Sequence, residues 1–305
     1  MPKTYLHIGY PKCASTYLQD EIFPQLGNYS HIVRAPNEQK YYPFNRNFDQ
    51  ETFRQYVENH IQNPDPSKNH LLVSFEDWCE LLFQEFADVL CTFRNLDRKI
   101  YDFSNERVLE NLKKAYPDAH IIIIIREQIS WINSRYKMLY RGAKIFKPVE
   151  ECLRNPLNGY DHLIATAQKL FGKDQVSVIP FELIKQDQKA FVENIARLID
   201  PHQPVEVSTK RVNRAPTLER TVQFSRIKTR IRKRLDAYQL RLFYPFAKAL
   251  LILFLKPALW FLHRNNTCKD PATKTDPATL EIIRQSNRRV NELTGLHLED
   301  FGYQA

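Results

Sequence analysis

A chain of 305 residues with 43% apolar and 26% charged side chains has the make-up of a soluble globular protein, which excludes a disordered chain and leaves room for one α/β domain or two smaller ones. The formal net charge of +9 points to an anionic ligand, a polyanionic substrate or an anionic membrane surface, against the bland alternative of solvated lysines. Five scattered cysteines (Cys13, Cys79, Cys91, Cys152, Cys268) without a C-x-x-C pair argue against a disulfide framework and against a zinc site, and fit a reducing compartment.

The chain opens on a β-favouring run, Thr4 to Ile8, with no leader-like segment ahead of it, so cytoplasmic residence is expected. A turn at Gly9 to Pro11 follows, and then Lys12, Cys13, Ala14, Ser15 and Thr16 at the start of a segment with helical spacing (Leu18, Ile22). Unpaired N–H groups in a first helical turn, with the positive end of the dipole, attract an anion, and a lysine and two hydroxyls strengthen the attraction. Pro11 to Thr16 therefore reads as a phosphate or sulfate cradle, with an ordinary strand-to-helix turn as the alternative. The G-x-x-x-x-G-K-[ST] pattern of nucleotide triphosphatases is not met, because Ala14 and Ser15 stand where its second Gly and Lys belong.

From Gly27 to Pro66 the sequence is rich in Asn, Pro and Tyr and reads as a long surface excursion with one short helix, Glu51 to Ile61. His70 to Glu76 is a second buried strand ending in a carboxylate, and Asp77 to Leu90 reads as helical. Asn105 to Tyr116 is an amphipathic helix closed by Pro117-Asp118. The third strand, His120 to Arg126, holds five consecutive isoleucines, apolar on both faces, and belongs at the centre of a parallel sheet. A helix carrying Trp131, Ser134 and Met138 follows, then a helix from Asp161 to Phe171 and a fourth strand, Val176 to Phe181. This alternation predicts a three-layer α/β fold with helices on a central parallel sheet, and ligands in such sheets bind at the carboxyl ends of the strands. Lys12, Glu76, Arg126 and Phe181 fall there.

Between Arg226 and Leu262 a strongly basic run is followed by a strongly apolar one, interrupted by Lys248, Lys256, Pro245 and Pro257. A membrane-spanning helix is not supported. An interfacial helix on anionic lipid, at the inner membrane face, is slightly favoured. The competing reading packs two helices on the fold or on a homodimer mate, with the arginines solvated or facing a polyanionic acceptor. The domain reading is one domain over 1–305, with 217–277 as a basic and apolar helical insertion.

Two motifs in order carry a family resemblance. Ile8-Gly9-Tyr-Pro11-Lys12-Cys-Ala-Ser15-Thr16-Tyr-Leu18-Gln19 resembles the 5′-phosphosulfate loop of sulfotransferases that use 3′-phosphoadenosine 5′-phosphosulfate (PAPS), commonly "hhIGxPKTGTTxLQ". Cys13-Ala14 departs from the usual Thr-Gly, and a glycine at 14 would permit a φ that alanine dislikes. Ile125-Arg126 with Ser134 eight residues on resembles the family's arginine and serine that hold the nucleotide's 3′-phosphate, with Gln128 where the family has proline. The alternative for Arg126 is a strand-capping pair with Glu127 or Glu76. Val178-Ile-Pro-Phe181-Glu182 is similar to the "hhhYEDL" segment, which makes Phe181 a candidate against the adenine, or else a core residue. Ser286 to Leu296 and Phe301 to Tyr303 look like the C-terminal segment of bacterial carbohydrate-modifying members. Asn213 and Arg214, with Arg211, are assigned to the nucleotide from charge and position alone.

The resemblance implies a P-loop-like fold and transfer of a sulfuryl group from PAPS to a hydroxyl or amine of a glycan or glycolipid. No metal and no nucleic-acid partner are expected with it. Lys12 would stabilise charge on the departing phosphate, and Glu76, in Val73-Ser-Phe-Glu76, would take the acceptor proton, as proposed for the "SSE" glutamate of carbohydrate sulfotransferases. A structural ion pair is the other role open to Glu76. His70 and His162 stand next as base, and His7 reads as a core residue. Two alternatives come from other classes: a P-loop nucleotide kinase-like enzyme, and a non-catalytic anion- or membrane-binding protein.

Overall fold

A computed structural model describes residues 3–27, 29–33, 42–61, 70–75, 102, 104–141, 159–207 and 276–304. Its centre is a five-stranded, all-parallel sheet of β1 (Thr4–Gly9), β2 (Tyr29–Val33), β3 (His70–Phe75), β4 (His120–Ile125) and β5 (Val176–Pro180). The spatial order is β2-β3-β1-β4-β5. From β1 the chain moves toward one edge of the sheet, and from β4 toward the other. The switch point lies between those two strands, which is where α/β sheets open a ligand crevice.

The isoleucine strand sits where its composition requires. β4 lies between β1 and β5, with Ile123 beside Ile8 on one side and Val178 on the other. Ile121 to Ile125 are all buried, and each apolar side chain removed from water contributes about 2 kcal/mol. One strand was not anticipated. Tyr29–Val33, inside the segment read as a surface excursion, pairs in register with His70 to Ser74 and forms the edge of the sheet. A short run with one hydrogen-bonded neighbour has little local pattern to announce it.

Some of the helices start at side-chain caps. Asp49 accepts from the Thr52 N–H at 2.7 Å and opens α2 (Gln50–Glu58), which follows the short α1 (Ser15–Tyr17). Ser104 accepts from the Arg107 N–H at 3.3 Å and opens α3 (Asn105–Ala115), whose last turn carries Lys113 and Lys114 at the negative end of the dipole. The stripe Val108, Leu109, Leu112 and Ala115 is buried, as the 3.6-residue period predicts. Next come α4 (Gln128–Arg141), α5 (Tyr160–Phe171), α6 (Leu183–Gln186), α7 (Gln188–Ile199) and α8 (Pro277–Thr294). α5 packs on β4 and β5 and carries α3 and α8 on its other flanks. Among the described residues no helix is long and apolar enough to cross a membrane. The expected helix Asp77 to Leu90 lies outside the described residues, as does 217–277 except for its last two positions.

Candidate active site

The loop after β1 is tightly wound. Gly9 has φ 138°, a backbone conformation that residues with a Cβ rarely adopt, while a Cβ there would meet the Ile124 carbonyl oxygen of β4 at an ordinary contact distance of 3.4 Å, so it is the backbone that calls for glycine. Lys12 and Ala14 occupy the left-handed region, at φ 73° and 65°. Ala14 is followed by helical Ser15, and a left-handed residue beside a right-handed one forms the concave, N–H-lined turn that anions occupy. Alanine thus adopts a left-handed conformation that a glycine at this position would take without steric cost. Beyond Tyr17 the helix widens into π geometry (Leu18–Ile22) and closes in a 3-10 turn (Phe23–Gln25). π geometry inside a helix recurs beside functional sites.

Buried aromatics hold this loop from below. The Pro11 carbonyl accepts from the Trp131 indole N–H at 2.7 Å, and the Tyr10 ring packs against Trp131 and Tyr160. Cys13 is buried, with its sulfur 3.9 Å from the Pro11 carbonyl oxygen. The Tyr160 hydroxyl donates to the Arg126 carbonyl at 2.6 Å, and burial pushes it well above the usual phenol range, so it stays protonated. Lys12 is exposed at the tip of the loop, Ser15 is buried below it, and Thr16 is half-buried.

Arg126 follows β4 across the switch point from this loop. Its Nη1 donates to the Lys12 carbonyl at 2.9 Å, its Nε and Nη2 both donate to Ser130 Oγ at 3.2 and 2.9 Å, and its guanidinium lies over the Phe181 ring, 4.7 Å from the centroid. Among the described residues its hydrogen bonds go to these groups and not to Glu127, one of the two partners of the strand-capping alternative; the other, Glu76, lies outside the described residues. The Glu127 carboxylate caps α4 instead, accepting from the Ile129 and Ser130 N–H groups at 3.0 and 2.6 Å; burial pushes its pKa up. Ser134 is half-buried one helical turn beyond Ser130, on the same face. Phe181 is half-buried and its N–H extends the β4–β5 pairing, donating to the Ile125 carbonyl at 2.7 Å.

On the other side of β1, His7 Nδ1 lies 2.7 Å from Ser74 Oγ, which also accepts from the Gln19 amide at 2.9 Å. His7 is a core residue as expected, and burial lowers its pKa to about 4. Glu76, two residues beyond Ser74, lies outside the described residues, and so do Arg211, Asn213, Arg214 and 226–262. The two histidines ranked behind Glu76 serve elsewhere: His70 accepts from the Lys3 N–H at the opposite end of β3, and His162 pairs with Glu106 at 2.9 Å. Among the described residues no cluster of His, Cys, Asp or Glu could hold a metal ion.

The C-terminal segment locks the rear of these strand ends. Asn287 on α8 is fully buried, accepts from the Gln128 amide and donates to the Gln304 carbonyl. The Tyr303 hydroxyl donates to Glu182 at 2.8 Å, and the same carboxylate accepts from the Glu127 N–H at 3.2 Å. Gln128, which replaces the proline of the resembled motif, thus has a buried partner of its own.

The sequence model of the sulfotransferase family matches residues 7–202, which span both loops and all of β1 to β5 except the first residues of β1. The chain belongs to the sulfotransferase family. Among solved structures, a sulfotransferase from Alicyclobacillus acidocaldarius is 15% identical with a TM-score of 0.44, the alignment covering 80% of this chain and 96% of that one. Mouse sulfotransferase SULT7A1 complexed with PAP is 12% identical with a TM-score of 0.35, over 74% of this chain and 66% of that one. A search of curated proteins finds no match.

Several groups around this sulfotransferase's Arg126 escaped sequence reasoning. Ser130 could have been found, since it stands four residues from both Arg126 and Ser134, where helical spacing puts the serines on one face. Trp131 and Tyr160 gave no such signal, because their partners lie far off in sequence; Glu182 and Tyr303 stood in segments marked by resemblance, but the bond between them was not legible.

Proposed function

We propose that this sulfotransferase transfers the sulfuryl group of PAPS to a hydroxyl or amine of a glycan or glycolipid. The observation that carries the reading is the 2.9 Å hydrogen bond from Arg126 to the Lys12 carbonyl, which brings the two motifs within the span of one nucleotide. PAPS supplies an activated sulfuryl group on a phosphate leaving group, and the protein's part is positioning and charge stabilisation, as in phosphoryl transfer. Residues Pro11 to Thr16 hold the 5′-phosphosulfate, and Lys12 stabilises the charge that builds on the departing phosphate oxygen, an effect of about 3 kcal/mol for a preorganised donor. Arg126 and Ser134 take the 3′-phosphate, with Asn213 and Arg214 joining them. The acceptor oxygen or nitrogen attacks sulfur as the bond from sulfur to the phosphate oxygen breaks, and Glu76 receives the acceptor's proton.

The glycan or glycolipid acceptor is supported by the likeness of Val73-Ser-Phe-Glu76 and of Phe301-Gly-Tyr303 to carbohydrate-modifying members. We further assign the protein to the cytoplasm, with 226–262 lying on the inner membrane face. The basic and apolar composition of that segment supports this.

The test is an incubation of the full chain with sulfur-labelled PAPS and a panel of glycans, glycolipids and simple phenols. Label on a glycan or glycolipid, reduced roughly a hundredfold by Lys12→Ala, is the expected result. Label only on phenols overturns the acceptor class. No transfer to any acceptor, with no binding of adenosine 3′,5′-bisphosphate, overturns the donor.

A further inference from the structure

We infer that Ser130 is a positioning residue that sets Arg126 for the 3′-phosphate, with the Phe181 ring as the second wall of the same clamp; the inference rests on the PAPS reading above. An arginine on a flexible stem loses side-chain freedom when it binds an anion, and contacts that hold it beforehand remove that cost. Arg126 is held on three sides. One edge of its guanidinium, Nε and Nη2, converges on the single Ser130 oxygen; Nη1 is tied to the Lys12 carbonyl; and its face rests on Phe181 at 4.7 Å. The remaining guanidinium N–H groups are then presented in one fixed orientation.

Ser130 is itself well anchored. It lies in the first turn of α4, and its N–H is capped at 2.6 Å by the Glu127 carboxylate. The Glu127 N–H in turn donates to the buried Glu182 that Tyr303 also bonds. The clamp therefore draws on β1, β4, β5 and the C-terminal segment together. Phe181 thereby gains a role beside the one its resemblance implies: the guanidinium packs on its ring, and Lys185 Nζ lies 5.6 Å from the same centroid.

Calorimetry on the full chain with two ligands, adenosine 3′,5′-bisphosphate and adenosine 5′-monophosphate, tests this. Ser130→Ala is expected to weaken the bisphosphate about tenfold, the effect of losing a hydrogen bond to a charged group, while leaving the monophosphate within about twofold. Ser130→Thr, which keeps the hydroxyl, restores binding. Ser130→Cys, with a weak acceptor of similar volume, gives an intermediate loss and serves if the alanine variant does not fold. Phe181→Leu follows the same pattern with a loss of about threefold. Equal weakening of both nucleotides by Ser130→Ala, or no weakening, overturns the inference and leaves the donor assignment standing. A wild-type protein that binds the two nucleotides equally overturns the donor assignment itself, and the inference with it.

Discussion

The Nη1 of Arg126 donates a hydrogen bond to the main-chain carbonyl of Lys12 at 2.9 Å, across 114 residues of sequence. The bond joins the loops that follow β1 and β4, the two adjacent strands between which the chain changes direction. It uses the carbonyl of a residue whose own backbone is left-handed, so the arginine also braces the loop that presents the lysine side chain. Under the proposed PAPS reading, nucleotide grip and loop shape are thereby linked.

Arg126→Lys is not a conservative change at such a position. An ammonium is a point charge that cannot span Ser130 and the Lys12 carbonyl in one plane. The variant is expected to bind adenosine 3′,5′-bisphosphate about tenfold more weakly by calorimetry. Undiminished affinity would show that the planar fork is irrelevant.

Ala14 holds φ 65° with a Cβ in place. A left-handed L-residue costs about 1 to 2 kcal/mol, and glycine gives back part of that gain through the greater freedom of the unfolded chain. Ala14→Gly should raise stability by about 0.5 to 1 kcal/mol and the thermal midpoint by about 2 °C. An unchanged or lowered midpoint in a calorimetric scan would mean that the strain is relieved elsewhere.

Asn287 and Gln128 are both buried and bonded to each other. Removing either amide strands the other, at about 1 to 3 kcal/mol. Asn287→Ala, Gln128→Ala and the double variant, compared by urea unfolding, should give a coupling energy of about 1 to 2 kcal/mol. Additive losses would indicate that the contact contributes nothing beyond its separate parts.

His7 is fully buried, and burial lowers its pKa from 6.5 to about 4. Between those values the unfolded chain takes up a proton that the folded protein refuses, so stability falls as pH drops from about 6.5 and levels off below about 4. The loss amounts to about 3 kcal/mol at one site. In denaturant titrations across that range, His7→Gln should flatten the pH dependence relative to wild type. Parallel curves for the two proteins would remove His7 as the cause.

Much of the architecture is local and could be read from the chain. Five β-branched isoleucines in a row need burial on both faces, and β4 meets that need between β1 and β5. The apolar stripe of α3 and its serine cap are likewise legible one residue at a time. Gly9, Lys12 and Arg126 were legible as motif residues at strand ends, because loop chemistry and strand termini are sequence-near features. β2 was not, because an edge strand is defined by the neighbour it pairs with more than by its own pattern.

What the sequence alone determined is the set of strands and helices around the isoleucine run and the charged groups at the strand ends, since propensity and periodicity act over a few residues. Only the tertiary structure decided that β1 and β4 are neighbours, that Ala14 is left-handed, and that Ser130, Phe181 and a distant backbone carbonyl share one guanidinium. Those facts depend on crossover connections and on hydrogen bonds between residues far apart in the chain. No local pattern encodes a partner that arrives from the other end of the molecule.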